Sequence, residues 1–244
     1  MRRNNLWREF VQHLDETLLR DLPSFRALEP LAVREILSHA HSRRIEAGHS
    51  VFEEGAEAET FFLLLDGHIR VERISREGDR VIPLHIPPGQ LFGIAAALGR
   101  DTYPATAVAA AECIVLCWPM RLWDSFVETY PGFGREANKM VGHRVGEMNA
   151  RIMELATQHV EQRVASAILR LSQQNGRQTD TGVEIPFPLT RRQISEMTGS
   201  TLHTVSRLLS AWERDGILTS ERKHIRVHEP TRLAELTEDT KPAT

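Results

Sequence analysis

The period of the apolar positions changes twice along this chain. In residues 1–40, Leu6, Phe10, Leu14 and Leu18 share one helix face, and Pro23 and Pro30 punctuate the segment after it. From Arg43 to about Trp118 the helical period gives way to short runs closed by glycine-bearing turns. Val51-Phe52 is followed by a turn at Glu53-Glu54-Gly55. Phe61 to Leu65 is a continuous apolar run, and Asp66-Gly67 marks a tight hairpin turn. His68 to Ile74 alternates polar and apolar, Glu77-Gly78-Asp79 turns again, and Val81 to Ile86 is a further strand. Pro88-Gly89 leads into Gln90-Leu91-Phe92-Gly93. After a small-residue segment, Ala105–Ala109 and Cys113–Trp118 read as the last strands. Short strands at this cadence predict a small antiparallel barrel or roll.

The helical period then returns. Pro119 starts a short helix through Glu128, and Pro131 suits the first position of a long one. Val141, Val145, Met148, Ile152 and Leu155 step by four and three, a heptad seam that serves either a core stripe or an interface between copies. Gly142 and Gly146 lie four apart on the same helix. They make room for a flat, bulky ligand between helix and roll, or for close approach of another helix. A further amphipathic helix runs from His159 to Gln174 through Val164, Ile168 and Leu171, and residues 175–182 read as a polar loop. Val183–Phe187 starts a small sheet that Leu218-Thr219 and His224–Val227 complete as a wing. Beyond Glu229-Pro230 the tail is polar and predicted to fray.

Within that last region, Leu189–Leu218 reads as two short helices about a tight turn. Thr190 caps the first, and Gln193 three residues on completes a capping box. Ile194 and Met197 form its buried side, and Gly199 supplies the positive φ of the turn. Ser200 or Thr201 caps the second helix, whose inward stripe is Val205, Leu208, Leu209 and Trp212. The same spacing turns His203, Ser206, Arg207, Ser210 and Arg214 outward. Arginine can grip guanine O6 and N7 with two hydrogen bonds, and serine and histidine can meet other base edges, so this face suits a DNA major groove. An ordinary helical hairpin with a solvated face shares the bare pattern.

Composition narrows the choice. The chain has 244 residues, enough for two domains with real cores. No run approaches the roughly 18 apolar residues of a membrane span, and MRRNNLWREF lacks an apolar signal core, so a cytoplasmic location without membrane association is expected. Net charge is −3, against nucleic-acid binding along the whole length. Yet Leu189 to His228 holds seven basic and four acidic residues, a local basic footprint. Cys113 and Cys117, the only two cysteines, share a strand face as buried small hydrophobes, and a four-cysteine iron–sulfur cluster is not available. No nucleophile motif, phosphate loop or metal-ligand spacing supports an enzyme.

Gly48, Val51-Phe52, Gly55, Phe61-Phe62, Gly67 and the run Pro88 to Gly93 resemble the β-roll of the cyclic-nucleotide-binding fold. With the helix-turn-helix behind it, the chain resembles the CRP/FNR family of bacterial transcription regulators over about residues 24–228. The resemblance implies an α+β chain: N-terminal helices and β-roll sensor (1–130), a long dimerisation helix (131–157), a winged helix-turn-helix (158–230) and a flexible tail (231–244). It implies a homodimer joined along the seam, acting on palindromic double-stranded promoter DNA with RNA polymerase as a further partner. In the family the recognition helix reads bases with Glu, Ser and Arg. Their positions here hold His203, Ser206 and Arg207, so the base met by Glu elsewhere meets histidine. Thr190, Arg191, Arg192, Ser200, Thr201 and Ser210 are the expected phosphate contacts.

The same resemblance bears on the effector. Cyclic-nucleotide binders of the family place a Glu after Phe-Gly and an Arg further on, and these positions are Ile94 and Pro104 here. Without them a cyclic nucleotide would bury an unpaired phosphate charge, which argues against that ligand. An apolar pocket of Phe92, Gly93, Ile94, Leu98, Gly142 and Gly146 is expected instead. The run Thr201–Glu213 is most similar to the NnrR type, with the haem-based DNR type related. That likeness implies nitric oxide as effector, through a haem for which His68, His85 and His143 are the candidate ligands, and control of denitrification genes. A regulator of the same family that works without an effector or with another ligand, and a cyclic-nucleotide module acting through protein contacts, are the alternatives.

Overall fold

The computed structural model describes residues 19–221 and 223–238. The predicted helical face of Leu6, Phe10, Leu14 and Leu18 lies outside them. The chain divides into two compact units. The first holds the described residues up to Arg73 together with Leu84–Glu147, and the second holds Ile74–Pro83 with the described residues from Met148 onward.

Helix α1 (Pro30–Ser38) precedes strands β1 (His41–Ile45), β2 (Ser50–Phe52), β3 (Thr60–Asp66), β4 (Ile69–Ile74), β5 (Arg80–Ile86), β6 (Leu91–Phe92), β7 (Thr106–Ala109) and β8 (Cys113–Pro119), of which the end of β4 and the start of β5 belong to the second unit. They form two four-stranded sheets, ordered β1-β8-β3-β6 and β2-β7-β4-β5, and the predicted roll is present. The β3–β8 ladder explains why Phe61 to Leu65 is apolar throughout. Phe62 faces Cys117 and Leu64 faces Val115 across the ladder, and all four enter the core inside the roll. The alternate residues Phe61 and Leu63 enter a second core with Val33, Ile36, Trp123, Phe126 and Phe133. A strand buried on both faces has no polar face to show. Trp118 belongs to that outer core. Its indole stacks on Phe61 with centroids 5.4 Å apart, and its N–H donates to the Ile36 carbonyl at 2.7 Å. Cys113 and Cys117 are buried and free. Burial pushes their thiols up to about 11 and about 12, which suppresses thiolate chemistry.

Helix α2 (Trp123–Thr129) leads into α3 (Pro131–Thr157), which begins at a proline. Phe133 and Ala137 root α3 in the outer core, with Met140 and Val141 packed at its edge.

The second unit contains α4 (Val160–Asn175), α5 (Arg191–Thr198), α6 (Leu202–Arg214) and α7 (Pro230–Glu235). Its sheet runs β11-β12-β10-β9, from strands β9 (Arg177–Thr179), β10 (Gly182–Glu184), β11 (Leu218–Glu221) and β12 (His224–Val227). Two details depart from the expectations drawn from the sequence. Residues 175–182 are not simply a polar loop, because β9 hairpins onto β10 with Thr179 facing Gly182 and its hydroxyl donating to the Gly182 carbonyl at 2.8 Å. The tail does not fray directly after Pro230 either. That proline opens α7, and Leu233 is fully buried, which anchors the helix despite its polar neighbours.

His68, just before β4, is buried, and the loss of water holds its imidazole down to about 4 against the opposing charge of Asp66. The unfolded chain, titrating near 6.5, therefore takes up this proton first as pH falls. Stability carried by the neutral ring is complete above that pH and is lost as the pH drops toward the folded value. Denaturant melts at pH 7 and pH 5 should show a larger loss for the wild type than for His68→Asn. Equal losses would contradict this account.

Candidate nucleic-acid interface

The second unit builds its outward face from two capped helices. Thr190 Oγ1 accepts from the Gln193 N–H at 3.1 Å, and Gln193 Oε1 accepts from the Thr190 N–H at 2.7 Å, so the reciprocal box closes the start of α5. Ile194, Met197 and Thr198 are buried beneath it. Gly199 comes next in the left-handed region at φ 58°, the conformation that a side chain would strain, and turns the chain toward α6. Arg163 of α4 holds that turn by donating to the Thr198 carbonyl at 3.0 Å. Thr201, rather than Ser200, caps α6 by accepting from the Thr204 N–H at 3.1 Å.

On α6, Val205, Leu208, Leu209 and Trp212 are buried. At about 100° per residue this stripe leaves the opposite arc to solvent. His203 and Arg207 are exposed there, with Ser206 and Ser210 half-buried beside them. The three residues matched to base reading thus lie on one face.

The expected phosphate contacts divide. Arg192 is 79% exposed beside Glu196, whose carboxylate accepts from its Nε at 3.2 Å. Arg191 instead lies over α6, with Nη1 3.4 Å from Ser210 Oγ and Nη2 3.4 Å from Glu213 Oε2. Arg191 and Ser210 thus face each other, and the contact sets the angle between the two helices. Ser200 is half-buried, and its hydroxyl donates to the Thr198 carbonyl at 3.4 Å. At the wing tip Lys223 adopts φ 71°, and its carbonyl accepts from the Leu189 N–H at 2.6 Å, which ties the wing to the entry of α5.

Along α3 the seam is open in the single chain. Val145 is 51% and Ile152 61% exposed, Met148 and Leu155 are similar, and Val141 is half-buried at the edge of the outer core. In the second unit a cleft of about 170 Å³ is lined by Met148, Ile152 and Leu155 with Arg163 and Met197, so whatever covers the seam also closes this cleft. Gly142 and Gly146 are exposed, and a Cβ built on either meets nothing within 4 Å.

The residues expected at the effector pocket differ in their surroundings. Phe92 is buried inside the roll, Ile94 is buried in the outer core, Leu98 is about half exposed, and Gly142 and Gly146 face open space. Gly93 lies between the two cores in close packing. A Cβ there would come within 2.9 Å of Phe62 and 3.0 Å of Phe52. Phe52 stacks on Tyr103 at 3.9 Å between centroids, on Phe62 at 5.7 Å and on Phe92 at 6.1 Å. Tyr103 is pinned by its hydroxyl, which donates to the Thr60 carbonyl at 2.6 Å. Tyr103, next to Pro104, thus belongs to the core of the roll. Nor do the histidines converge. His68 and His85 are buried, His143 is exposed 3.6 Å from Glu147, and no cluster of three or more His, Cys, Asp or Glu able to hold a metal exists among the described residues.

A further residue, Arg144, carries no periodic signal that would have singled it out. Its guanidinium donates to the Leu91 carbonyl at 2.6 Å and to Gln90 Oε1 at 3.2 Å, which fastens α3 to the strand before Gly93. Burial pushes its pKa down to about 10, opposed by the charge of Glu147.

Known proteins share both halves. Residues 42–130 match the family described as the cyclic nucleotide-binding domain, and residues 162–236 match the Crp-like helix-turn-helix domain. The chain is 22% identical over 221 residues to the CRP-like cAMP-activated global transcriptional regulator of Mycobacterium tuberculosis, across 91% of this chain and 98% of that protein. It is 25% identical over 197 residues to the fumarate and nitrate reduction regulatory protein of Escherichia coli, across 81% and 78% of the two. FixK2 from Bradyrhizobium japonicum shares the fold, with a TM-score of 0.72 at 22% identity over 82% of this chain and 98% of that one.

Proposed function

We propose that this chain is a DNA-binding transcription regulator of the CRP/FNR type, in which two copies, joined along α3, set two α6 helices into successive major grooves of a palindromic promoter site. The observation that carries this reading is the exposed arc of α6, with His203 and Arg207 outward over a fully buried stripe. Arg207 would grip a guanine, Ser206 and His203 would meet adjacent base edges, and Arg192 with the amide-rich start of α5 would hold phosphate and fix register. The open seam supports pairing, since exposed apolar side chains at heptad spacing bury themselves best against a second copy of the same stripe. RNA polymerase is the partner that such a regulator would engage in turn.

Two readings of the effector differ in what supports them. Nitric oxide sensed through haem, with denitrification genes as targets, rests on the likeness of the Thr201–Glu213 run. Phe62, Phe92 and Tyr103 belong to the core of the roll with Phe52 packed against it, so a flat macrocycle would have to lie outside that core or displace these rings. For a cyclic nucleotide, Ile94 and Pro104 offer its ribose and phosphate neither acid nor base. The packed roll favours the second reading, regulation without a ligand inside it.

Gel shifts on a selected site test the DNA reading. Arg207→Ala should lose about 1–3 kcal/mol and relax preference at one base pair of each half-site. Arg192→Ala should weaken binding to all sequences alike and lower the salt slope by about one unit. Equal loss on every sequence for Arg207→Ala would contradict the assignment. For the effector, the purified chain incubated with haem should show no stoichiometric Soret band that shifts with nitric oxide. Such a band would restore the haem reading.

A further inference from the structure

Met153 is a large apolar side chain of α3 that the heptad seam leaves out, and it is 60% exposed. A single exposed methionine needs no function. The two sides of the helix at this level give this one a role. At 3.6 residues per turn, Ala156, Asn149 and Met153 stand about 40°, 60° and 100° to one side of Ile152. All three are exposed and none is charged. Met148, Leu155 and Arg151 stand about 40°, 60° and 100° to the other side. There the cleft of about 170 Å³ opens, with Ala167 of α4 and Met197 of α5 in its far wall. A cavity of roughly 150 Å³ with apolar walls takes a benzene-sized guest, so the cleft has room for one methionine side chain. The charged groups around it are engaged within the chain. Arg151 donates to the Ile82 carbonyl at 2.9 Å, Arg163 to the Thr198 carbonyl at 3.0 Å, and Arg170 to Glu154 at 2.6 Å. What the cleft can still take is apolar.

A two-fold axis along α3 that brings Ile152 against Ile152 of a second copy sets the uncharged side of each helix beside the cleft side of the other. We propose that Met153 of each copy seats in the cleft of the other, against the end of α5, so that each DNA-binding unit is completed by a residue of the second chain. The inference rests on the pairing along α3 proposed above. It adds a contact between that pairing and the turn before α6, because Thr198 lines the cleft and Gly199 follows it. Methionine suits this use, since its unbranched thioether adapts to an irregular gap.

Cysteine trapping in the full-length chain tests this. Cys113 and Cys117 are buried, so the wild type supplies the unreacted control. A chain carrying Met153→Cys, mixed with a tagged chain carrying Met197→Cys and bridged by a short bismaleimide, should give a covalent pair of one of each. Neither variant alone should do so. Ile152→Cys, on the mid-line of the seam, should join to itself. In sedimentation, Met153→Ala should weaken pairing at least about tenfold, as expected for an apolar side chain lost from both clefts. Met153→Leu should keep most of the affinity. The proposal is overturned if Ile152→Cys joins but the mixed chains do not, or if Met153→Cys alone joins to itself. It is also overturned if Met153→Ala pairs as tightly as the wild type. If Ile152→Cys stays single and the wild type sediments as one chain, the pairing along α3 falls, and this contact with it.

Discussion

The fold of the second unit turns on burying one stripe of α6. Val205, Leu208, Leu209 and Trp212 can leave water together only if the helix presents the opposite arc outward. Each buried side chain of this size contributes on the order of 1.5–3 kcal/mol, and polar residues on the other side cost nothing when they stay wet. The direction of Arg207 is therefore fixed by residues on the opposite face of the helix. Two caps, the Gly199 turn and the Arg191 contact then set where the helix starts and how it leans.

A second constraint governs the roll. Strands β3 and β8 separate two apolar cores, so nearly every side chain along them is committed to packing. Inside the roll the space is taken by aromatic rings, with Tyr103 pinned by a backbone carbonyl. On the side of α3, Arg144 ties that helix to the strand that leads to Gly93.

Much of the fold was legible because the signals were local. Proline at the start of α3, the capping box at Thr190 and the alternation along the strands are statements about neighbouring residues, and the folded chain keeps them. The buried stripe of α6 was equally plain from its spacing. Other features depend on contacts that sequence spacing does not encode. Whether Arg191 reaches outward or lies over α6 depends on where Ser210 and Glu213 come to rest. That Phe92 and Ile94 enter different cores on either side of Gly93 is likewise not written in their spacing. Helix α7 escaped notice because one leucine among polar residues makes no period, though it is enough to hold a short helix.

The central claim is that one exposed reading helix acts in duplicate, and the seam of α3 makes that possible. Sedimentation of the wild type with a selected duplex, beside the variant Ile152→Glu, tests this directly. The account predicts two chains per duplex for the wild type, and a single chain with lost affinity once the charge is placed in the seam. A wild type that binds as one chain, or an Ile152→Glu variant that still binds as two, would contradict it.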